Sequence, residues 1–235
     1  MIDFHTHILP RMDDGSRNIV ETRKMLKMEF DQGVRHVVST SHFYAQREFP
    51  EEFLERRQRR ISRVREMLQE EEWGSQMKLY AGAEVLYFTG MAESPALSDL
   101  CIEKTDTLLL ELPFFQWDKE IYLEVKKIIE VRRKKVILAH VERYFQYQKD
   151  TDIWDQILEL PVYIQLNTGN IGAWGKKGIC RKLLKSELPI LLGSDCHSIR
   201  KRPPDIRKGR KQVEKTAGTA MLEQIDRLGK QVLKI

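Results

Sequence analysis

The sequence has little of what anchors a protein in a membrane or cross-links it outside a cell. No apolar run approaches the roughly 18 residues that a membrane-spanning helix needs. We expect no signal peptide, because the chain does not open on a basic segment followed by an apolar stretch and a small-residue cleavage site. The three cysteines have no spacing typical of a metal site or a disulfide framework, which favours reduced thiols in the cytoplasm.

An excess of charge of one sign is also small. The net charge is +5 over 235 residues, too little to indicate a nucleic-acid-binding protein. The strongest basic run is ERRQRRISRVR, residues 55–65, which we interpret as the solvated face of a helix. Docking of this run to an acidic partner, an anionic membrane or a nucleic acid stays open, although it lacks the interleaved aromatic residues that favour nucleic-acid binding.

The sequence does contain a regular alternation of short apolar runs and longer amphipathic stretches. The predicted strands are residues 1–5, 35–41, 78–84, 105–112, 135–140, 162–167 and 189–194. Asn18 is the candidate N-cap of the first helix, with Glu21 reaching back to it, and residues 51–72 form another helix. Because this alternation implies parallel strands joined by right-handed crossovers, it predicts an α/β barrel of about seven strands. The length suits a single domain, residues 1–235.

All but one of the predicted strands end at or near side chains that bind metal ions. These side chains are His5, His7, His42, Glu84, Glu111, His140, Asp195 and His197. Because a barrel enzyme builds its site at the carboxyl ends of its strands, we expect them to converge in one cleft. An isolated His-x-His pair is more often the polar face of a strand, but the whole set together favours a metal site. His36 lies near the start of its strand, so we expect it to be structural.

The order of short motifs along the chain resembles a known family. HTH, MDDG, STSH, GAE, LLLELP, AHVERY and GSDCH follow one another as in the PHP (polymerase and histidinol phosphatase) superfamily of metal-dependent phosphoesterases. Within it, IDFHTHILPRMDDG followed by DQGVRHVVSTSH is similar to the manganese-dependent protein-tyrosine phosphatases of bacterial capsule and exopolysaccharide operons. The resemblance weakens after about residue 204, because DRLGKQVLKI lacks the Asn-Pro dipeptide that often ends the family's chains.

The resemblance implies a distorted seven-stranded, TIM-like barrel of the PHP type that holds three divalent metal ions. It assigns His5, His7, Glu84 and Asp195 to one ion, Glu84, Glu111 and His140 to a second, and Asp14, His42 and His197 to a third. Asp14 is chosen because the family's ligand directly precedes the glycine, which leaves Asp13 as a partner of an imidazole or a turn residue. The resemblance favours manganese, whereas the nitrogen and oxygen ligands also suit iron and zinc.

The implied substrate is a phosphate ester. Arg143 in HVERY and Arg202 in RPP match family positions that hold phosphate. Three divalent ions carry six positive charges, and the four carboxylates among the ligands carry four negative ones. The two positive charges that remain suit a phosphate dianion. By resemblance, the substrate is phosphotyrosine in the tyrosine-rich tail of a bacterial tyrosine kinase that governs polysaccharide assembly, and that kinase would recruit the protein to the membrane.

Other interpretations stay open. A small-molecule phosphomonoesterase similar to histidinol phosphatase and a non-catalytic regulator that binds the kinase are alternative functions. Cys196 to Arg202 also satisfy C-x5-R, the spacing of cysteine-dependent tyrosine phosphatases, but without a glycine between them we interpret Cys196 as a spacer. The aromatic residues just beyond strand ends, which suit either contact with a tyrosyl ring or the core, are Phe43, Tyr44, Phe114, Phe115, Trp117 and Tyr144.

Overall fold

The regular elements of the computed structural model, which describes residues 1–235, are nine strands and seven α-helices. The strands are β1 (Ile2–Thr6), β2 (His36–Ser39), β3 (His42–Phe43), β4 (Lys78–Ala81), β5 (Glu84–Leu86), β6 (Thr107–Glu111), β7 (Lys135–Leu138), β8 (Val162–Asn167) and β9 (Ile190–Gly193). The helices are α1 (Ile19–Asp31), α2 (Pro50–Gln69), α3 (Lys119–Glu130), α4 (Asp152–Glu159), α5 (Lys177–Leu184), α6 (Ile206–Ala217) and α7 (Thr219–Leu233). Every strand ladder is parallel, so the predicted α/β class is confirmed.

The strands form two parallel sheets and not one closed barrel. One sheet has the order β1-β2-β4, and the other has the order β3-β5-β6-β7-β8-β9. Between β1 and the chain just after β9 there is only an isolated bridge, from Thr6 to Cys196. The predicted seven-stranded barrel is therefore not confirmed.

One of the predicted strands is divided between the two sheets. The run 78–84 becomes β4 and the first residue of β5, whereas the run 35–41 becomes β2 and the connection to β3. The break within 78–84 falls at Gly82, whose N–H donates to the Ser39 carbonyl at 2.9 Å and where a Cβ atom would lie 3.2 Å from Val38 Cγ1. The pattern of apolar residues along a run does not show where the chain leaves one sheet and enters another.

One cluster of buried side chains takes a residue from each of five strands, β1, β2, β6, β7 and β9, and is covered by the end of α7. Its members are Phe4, Val38, Ile102, Leu109, Ile137, Ala139, Leu191, Val232 and Leu233. Helix α7 approaches β1 closely at Gly229, where a Cβ atom would lie 3.1 Å from Phe4 Cε2. The divergent C-terminal sequence is thus a packed helix.

The two helices for which the sequence predicts a start begin close to it, α1 at Ile19 and α2 at Pro50. Asn18 Oδ1 accepts the Glu21 N–H at 3.0 Å, which confirms the N-cap of α1. Glu21 does reach back, but its carboxylate accepts the N–H of Arg17 and not that of Asn18. None of the helices combines the length and the apolar content that crossing a bilayer requires.

The basic run 55–65 lies on α2, and part of it serves the fold. The Arg57 guanidinium donates to the Asp99 carbonyl at 2.8 Å, and the Arg65 guanidinium donates to the Leu79 carbonyl at 2.8 Å. These contacts connect α2 to the chain on either side of the β4–β5 bend, so Arg57 and Arg65 hold α2 in place, whereas the interpretation of the run as a solvated face fits its exposed residues Arg59 and Arg63.

Candidate metal centre

The nine side chains assigned to metal come together at the carboxyl ends of the strands. All are buried or nearly so except Asp14, whose side chain is 68% exposed. They are His5, His7, Asp14, His42, Glu84, Glu111, His140, Asp195 and His197. The expected convergence in one cleft is what the structure shows.

The most compact group contains His5, His7, Glu84 and Asp195. His5 Nε2 lies 3.1 Å from His7 Nε2 and 3.1 Å from Glu84 Oε2. His7 Nε2 lies 3.3 Å from Glu84 Oε2 and 3.4 Å from Asp195 Oδ1. Atoms that share one metal ion at about 2.1 Å lie roughly 3.0 to 3.4 Å apart, so this group has the spacing of a ligand set.

Hydrogen bonds behind the two imidazoles decide which ring nitrogens are free. Gln165 Oε1 accepts the backbone N–H of His140 at 2.8 Å, so it is also the acceptor for His5 Nδ1–H at 2.9 Å. His7 Nδ1–H donates to Asp13 Oδ2 at 2.7 Å. In neutral rings both Nε2 atoms then present lone pairs 3.1 Å apart, which repel each other unless a proton or a metal ion lies between them. The residues present fit a metal ion here.

A second group forms around the other oxygen of Glu84. His140 Nε2 lies 2.8 Å from Glu84 Oε1 and 3.3 Å from Glu111 Oε1. His42 Nδ1 lies 2.9 Å from Glu84 Oε2, and ligand atoms of His42, Glu84 and Glu111 all fall within 4.8 Å of one another. His42 therefore also approaches the group for which the resemblance supplies only Glu84, Glu111 and His140.

A third group lies at the outer side of the cleft. Ligand atoms of His7, Asp14, His42 and His197 all lie within 4.8 Å of one another. His197 Nε2 is 3.3 Å and His42 Nε2 is 3.7 Å from Asp14 Oδ1. Four buried polar atoms of the nine side chains have no hydrogen-bond partner: Glu84 Oε2, His42 Nδ1, His140 Nδ1 and His197 Nε2. Unpartnered buried polar atoms are costly, and a bound cation would satisfy those of Glu84, His42 and His197.

The ionisation of the cluster favours a cation. Burial alone would raise the pKa of Glu84, but His5 and His140 hold it well below its ordinary value, and His5 does the same for Asp195. Burial alone would lower the pKa of His140, but Glu111 and Glu84 raise it to about 9. Ionised carboxylates in a buried site make it attractive to positive charge.

The backbone is strained at two of these residues. His140 has φ 31° and Asp195 has φ 56°, in the left-handed region that non-glycine residues rarely adopt. In the MDDG motif, a Cβ atom on Gly15 would lie 2.1 Å from the His7 carbonyl oxygen, so the turn that carries the two aspartates requires glycine. Strain of this kind persists where surrounding packing fixes it and clusters at functional sites.

Two residues of the cluster were not predicted from the sequence. Gln165 Nε2 donates to Asn167 Oδ1 at 2.9 Å, and Asn167 Nδ2 donates to Asp195 Oδ2 at 2.7 Å. Both are on β8, the strand for which no ligand was predicted, and this chain of amides connects His5 to Asp195. The sequence feature that indicates them is the spacing of two polar residues, Gln165 and Asn167, two positions apart in an apolar run. This spacing places both side chains on one face of the strand.

The two arginines assigned to phosphate also reach the centre. Arg202 Nη2 lies 2.5 Å and Arg143 Nη1 lies 3.7 Å from Asp195 Oδ2. Their side chains are 44% and 36% exposed, so both guanidinium groups face the cleft from its open side.

A cavity of about 570 Å³ opens onto the centre. Its walls include Tyr44, Leu86 and Phe114 together with Arg143 and Arg202. The remaining aromatic candidates lie elsewhere: Phe115 is exposed, and Phe43, Trp117 and Tyr144 are buried in the core. The cavity thus combines apolar walls with two cations beside the cluster.

Two residues outside the ligand set have structural surroundings. His36, at the start of β2, has its Nδ1 atom 3.0 Å from the Tyr80 hydroxyl, which agrees with the structural role expected for it. Cys196 is fully buried, and burial followed by the charges of Glu29 and Asp3 raises the pKa of its thiol well above the ordinary value. A buried thiol with a raised pKa is a poor nucleophile, which speaks against the C-x5-R alternative.

Fold and cluster together define a class of α/β proteins in which imidazoles and carboxylates converge at the carboxyl ends of parallel strands. The family model described as capsular polysaccharide synthesis, CpsB/CapC, matches residues 1–232. The chain belongs to the CpsB/CapC family.

Relatives with names and a solved structure are similar over nearly the whole chain. Tyrosine-protein phosphatase CpsB of Streptococcus agalactiae serotype III (strain NEM316) is 26% identical over 235 residues, covering 96% of this chain and 94% of the relative. Tyrosine-protein phosphatase YwqE of Bacillus subtilis (strain 168) is 22% identical, covering 94% and 87%. A crystal structure from the study of YwqE from Bacillus subtilis and CpsB from Streptococcus pneumoniae, described as unique metal-dependent tyrosine phosphatases, has a TM-score of 0.84 at 21% identity and covers 100% of this chain and 94% of that one.

Proposed function

We propose that this protein is a metal-dependent tyrosine phosphatase that hydrolyses phosphotyrosine in proteins. The observation that carries the proposal is the pair of imidazole Nε2 atoms of His5 and His7, 3.1 Å apart and next to the carboxylates of Glu84 and Asp195. Relatives that match nearly the full length are tyrosine-protein phosphatases, which supports the substrate class.

The proposed centre takes three divalent ions, with manganese as the favoured metal. Its ligands are His5, His7, Asp14, His42, Glu84, Glu111, His140, Asp195 and His197. Metal ions held there would supply Lewis-acid activation of the phosphate and a water of lowered pKa. The purely nitrogen and oxygen ligand set supports manganese but also suits iron and zinc.

Residues around the centre would bind and orient the substrate. Arg143 and Arg202 would hold phosphate oxygens, because a guanidinium fork matches their geometry. Tyr44, Leu86 and Phe114 offer apolar walls for a tyrosyl ring in the same cavity.

The natural substrate under this proposal is the tyrosine-rich tail of a bacterial tyrosine kinase that controls polysaccharide assembly. The capsular description of the family supports this assignment. The protein would act as one domain in the cytoplasm, where its three free and buried cysteines stay reduced.

The test compares two substrates and one variant. Purified protein should hydrolyse a phosphotyrosine peptide with a higher kcat/KM than histidinol phosphate, and Cys196→Ser should retain that activity. A higher kcat/KM on histidinol phosphate would assign a small-molecule phosphatase instead. Loss of activity in Cys196→Ser would favour the thiolate mechanism, and turnover of neither substrate would favour a binding module.

A further inference from the structure

A second surface of the molecule is strongly basic and takes no part in the proposed chemistry. It is formed by α5, α6 and the loop 171–176 that precedes α5, and we call it the α5–α6 basic face. Residues 171–185 and 206–217 contain one acidic residue, Glu214, against ten basic ones. The basic residues are Lys176, Lys177, Arg181, Lys182, Lys185, Arg207, Lys208, Arg210, Lys211 and Lys215.

Most of these charges are free of anionic partners within the protein. Arg210 pairs with Asp226 at 2.7 Å, and the Arg207 guanidinium donates to the backbone carbonyls of Asp31 and Gln32. The other eight form no salt bridge, and all of them except the partly buried Lys176 are exposed. The face therefore presents an uncompensated positive field, which attracts an anionic surface.

A fully exposed tryptophan accompanies this charge. Trp174, in the loop between β8 and α5, is 100% exposed, and it is the one large apolar side chain of this face that is exposed. It is flanked by Gly175 and by Lys176 and Lys177. Tryptophan beside lysine is the combination found at membrane interfaces, where the ring enters the headgroup region and the amines meet phosphates.

A basic cavity lies between the two helices, next to that loop. It has a volume of about 260 Å³, and its lining includes Lys177, Arg181 and Lys215 together with Gly172 of the loop. Three cations from two helices and no carboxylate line it, so its chemistry suits an anionic headgroup.

We propose that the α5–α6 basic face docks on an anionic lipid membrane, with Trp174 in the interfacial layer and acidic headgroups at Lys177, Arg181 and Lys215. A protein partner is less well matched, because the core of a protein interface needs several apolar anchors and this face offers one. Asn170, which lines a cavity at the metal centre together with Asp195, is four residues before Trp174. Docking would therefore hold the open end of the centre near the membrane.

The experiment measures partition of the intact protein to phosphatidylcholine vesicles with and without phosphatidylserine. Binding should require phosphatidylserine and weaken with salt. Tryptophan emission should shift to the blue, because Trp174 is the fully exposed tryptophan while Trp117 and Trp154 are buried. Trp174→Phe should keep most of the binding and lose the spectral shift.

Charge-reversed variants separate this face from basic charge in general. The triple variant Lys177→Glu, Arg181→Glu and Lys215→Glu should lose at least about a hundredfold in partition, since removal of each basic residue near an anionic leaflet costs about fivefold and the new carboxylates add repulsion. The matched control reverses three basic residues on α2, namely Arg59, Arg60 and Arg63, and should bind like the parent protein. Both variants should keep the parent phosphatase activity on a soluble peptide, which makes failure here distinguishable from failure of the proposed function.

Three results would overturn the proposal. They are equal binding to vesicles without phosphatidylserine, an equal loss of binding in the α2 control, and no vesicle binding while the face binds polyglutamate. The last result would assign the face to an acidic protein partner.

Discussion

At the scale of single residues, the side chain of Gln165 shows how much of the centre depends on residues that would not bind metal. Its Oε1 atom accepts from both the His140 backbone and the His5 ring, and so fixes the tautomer that leaves His5 Nε2 free. Partners of this kind orient metal ligands, and their loss typically costs about ten- to a hundredfold in metal affinity.

Gln165→Leu should therefore lower the metal affinity of the protein by about ten- to a hundredfold while the far-ultraviolet circular dichroism stays unchanged. Metal titration of the chelated protein measures the affinity. Gln69→Leu, on the exposed side of α2, is the matched control and should bind metal like the parent. An unchanged affinity in Gln165→Leu would contradict the positioning role.

The protonation of His140 predicts a pH dependence of metal binding. Glu111 and Glu84 raise its pKa to about 9 in the metal-free protein, so the ring carries a proton at neutral pH. A ligating imidazole must be neutral, so the proton has to leave on binding. Apparent metal affinity should fall as pH is lowered below about 9, and calorimetric titration in buffers of different ionisation enthalpy should detect released protons. A pH-independent affinity with no proton release would be the opposite result.

At the scale of elements, the sequence predicts where the strands lie along the chain better than it predicts to which of the two sheets each strand belongs. Run 162–167 is β8 to the residue, because Pro161 precedes it and the turn-forming residues Thr168 and Gly169 follow it. Run 78–84 spans β4 and the start of β5, since the bend at Gly82 depends on contacts with a neighbouring strand that one sequence does not display. The predicted closure into a barrel rests on the alternation and on the family resemblance, and alternation specifies parallel pairing but not the last ladder.

Helix α6 provides a test of packing between elements. A Cβ atom at Gly209 would lie 2.2 Å from Thr168 Cβ, at the end of β8, whereas a Cβ atom at Gly178 of α5 would meet nothing within 4 Å. Gly209→Ala should destabilise the protein by about 1–3 kcal/mol. Gly178→Ala, its matched control, should be neutral or stabilise by up to about 1 kcal/mol, because alanine favours helix. Denaturant unfolding measures both, and equal stabilities would argue against the close contact.

At the scale of the whole molecule, the candidate centre joins the two sheets. His5 belongs to the three-stranded sheet, whereas Glu84, His42 and Glu111 belong to the six-stranded one. The sequence placed the ligands at strand ends, and the family resemblance supplied Asp14 and the arginines. Neither showed Gln165 and Asn167, because their role depends on which residues the fold places behind the imidazoles.

A cluster that spans both sheets predicts that metal stabilises the fold. Ligand that binds only the folded state at about 100 times its Kd contributes about 2.7 kcal/mol. For a chain of this length that corresponds to a fall in Tm of roughly 5–10 °C on chelation, reversed by adding metal. Differential scanning calorimetry measures the change, and a Tm that chelation leaves unchanged would show that metal does not tie the sheets together.

The most direct test of the proposed function is hydrolysis of a phosphotyrosine peptide before chelation, after chelation and after manganese is added back. The arrangement of His5, His7, Glu84 and Asp195 predicts that chelation abolishes turnover and that manganese restores it. Turnover that survives complete removal of metal would contradict the metal-dependent mechanism.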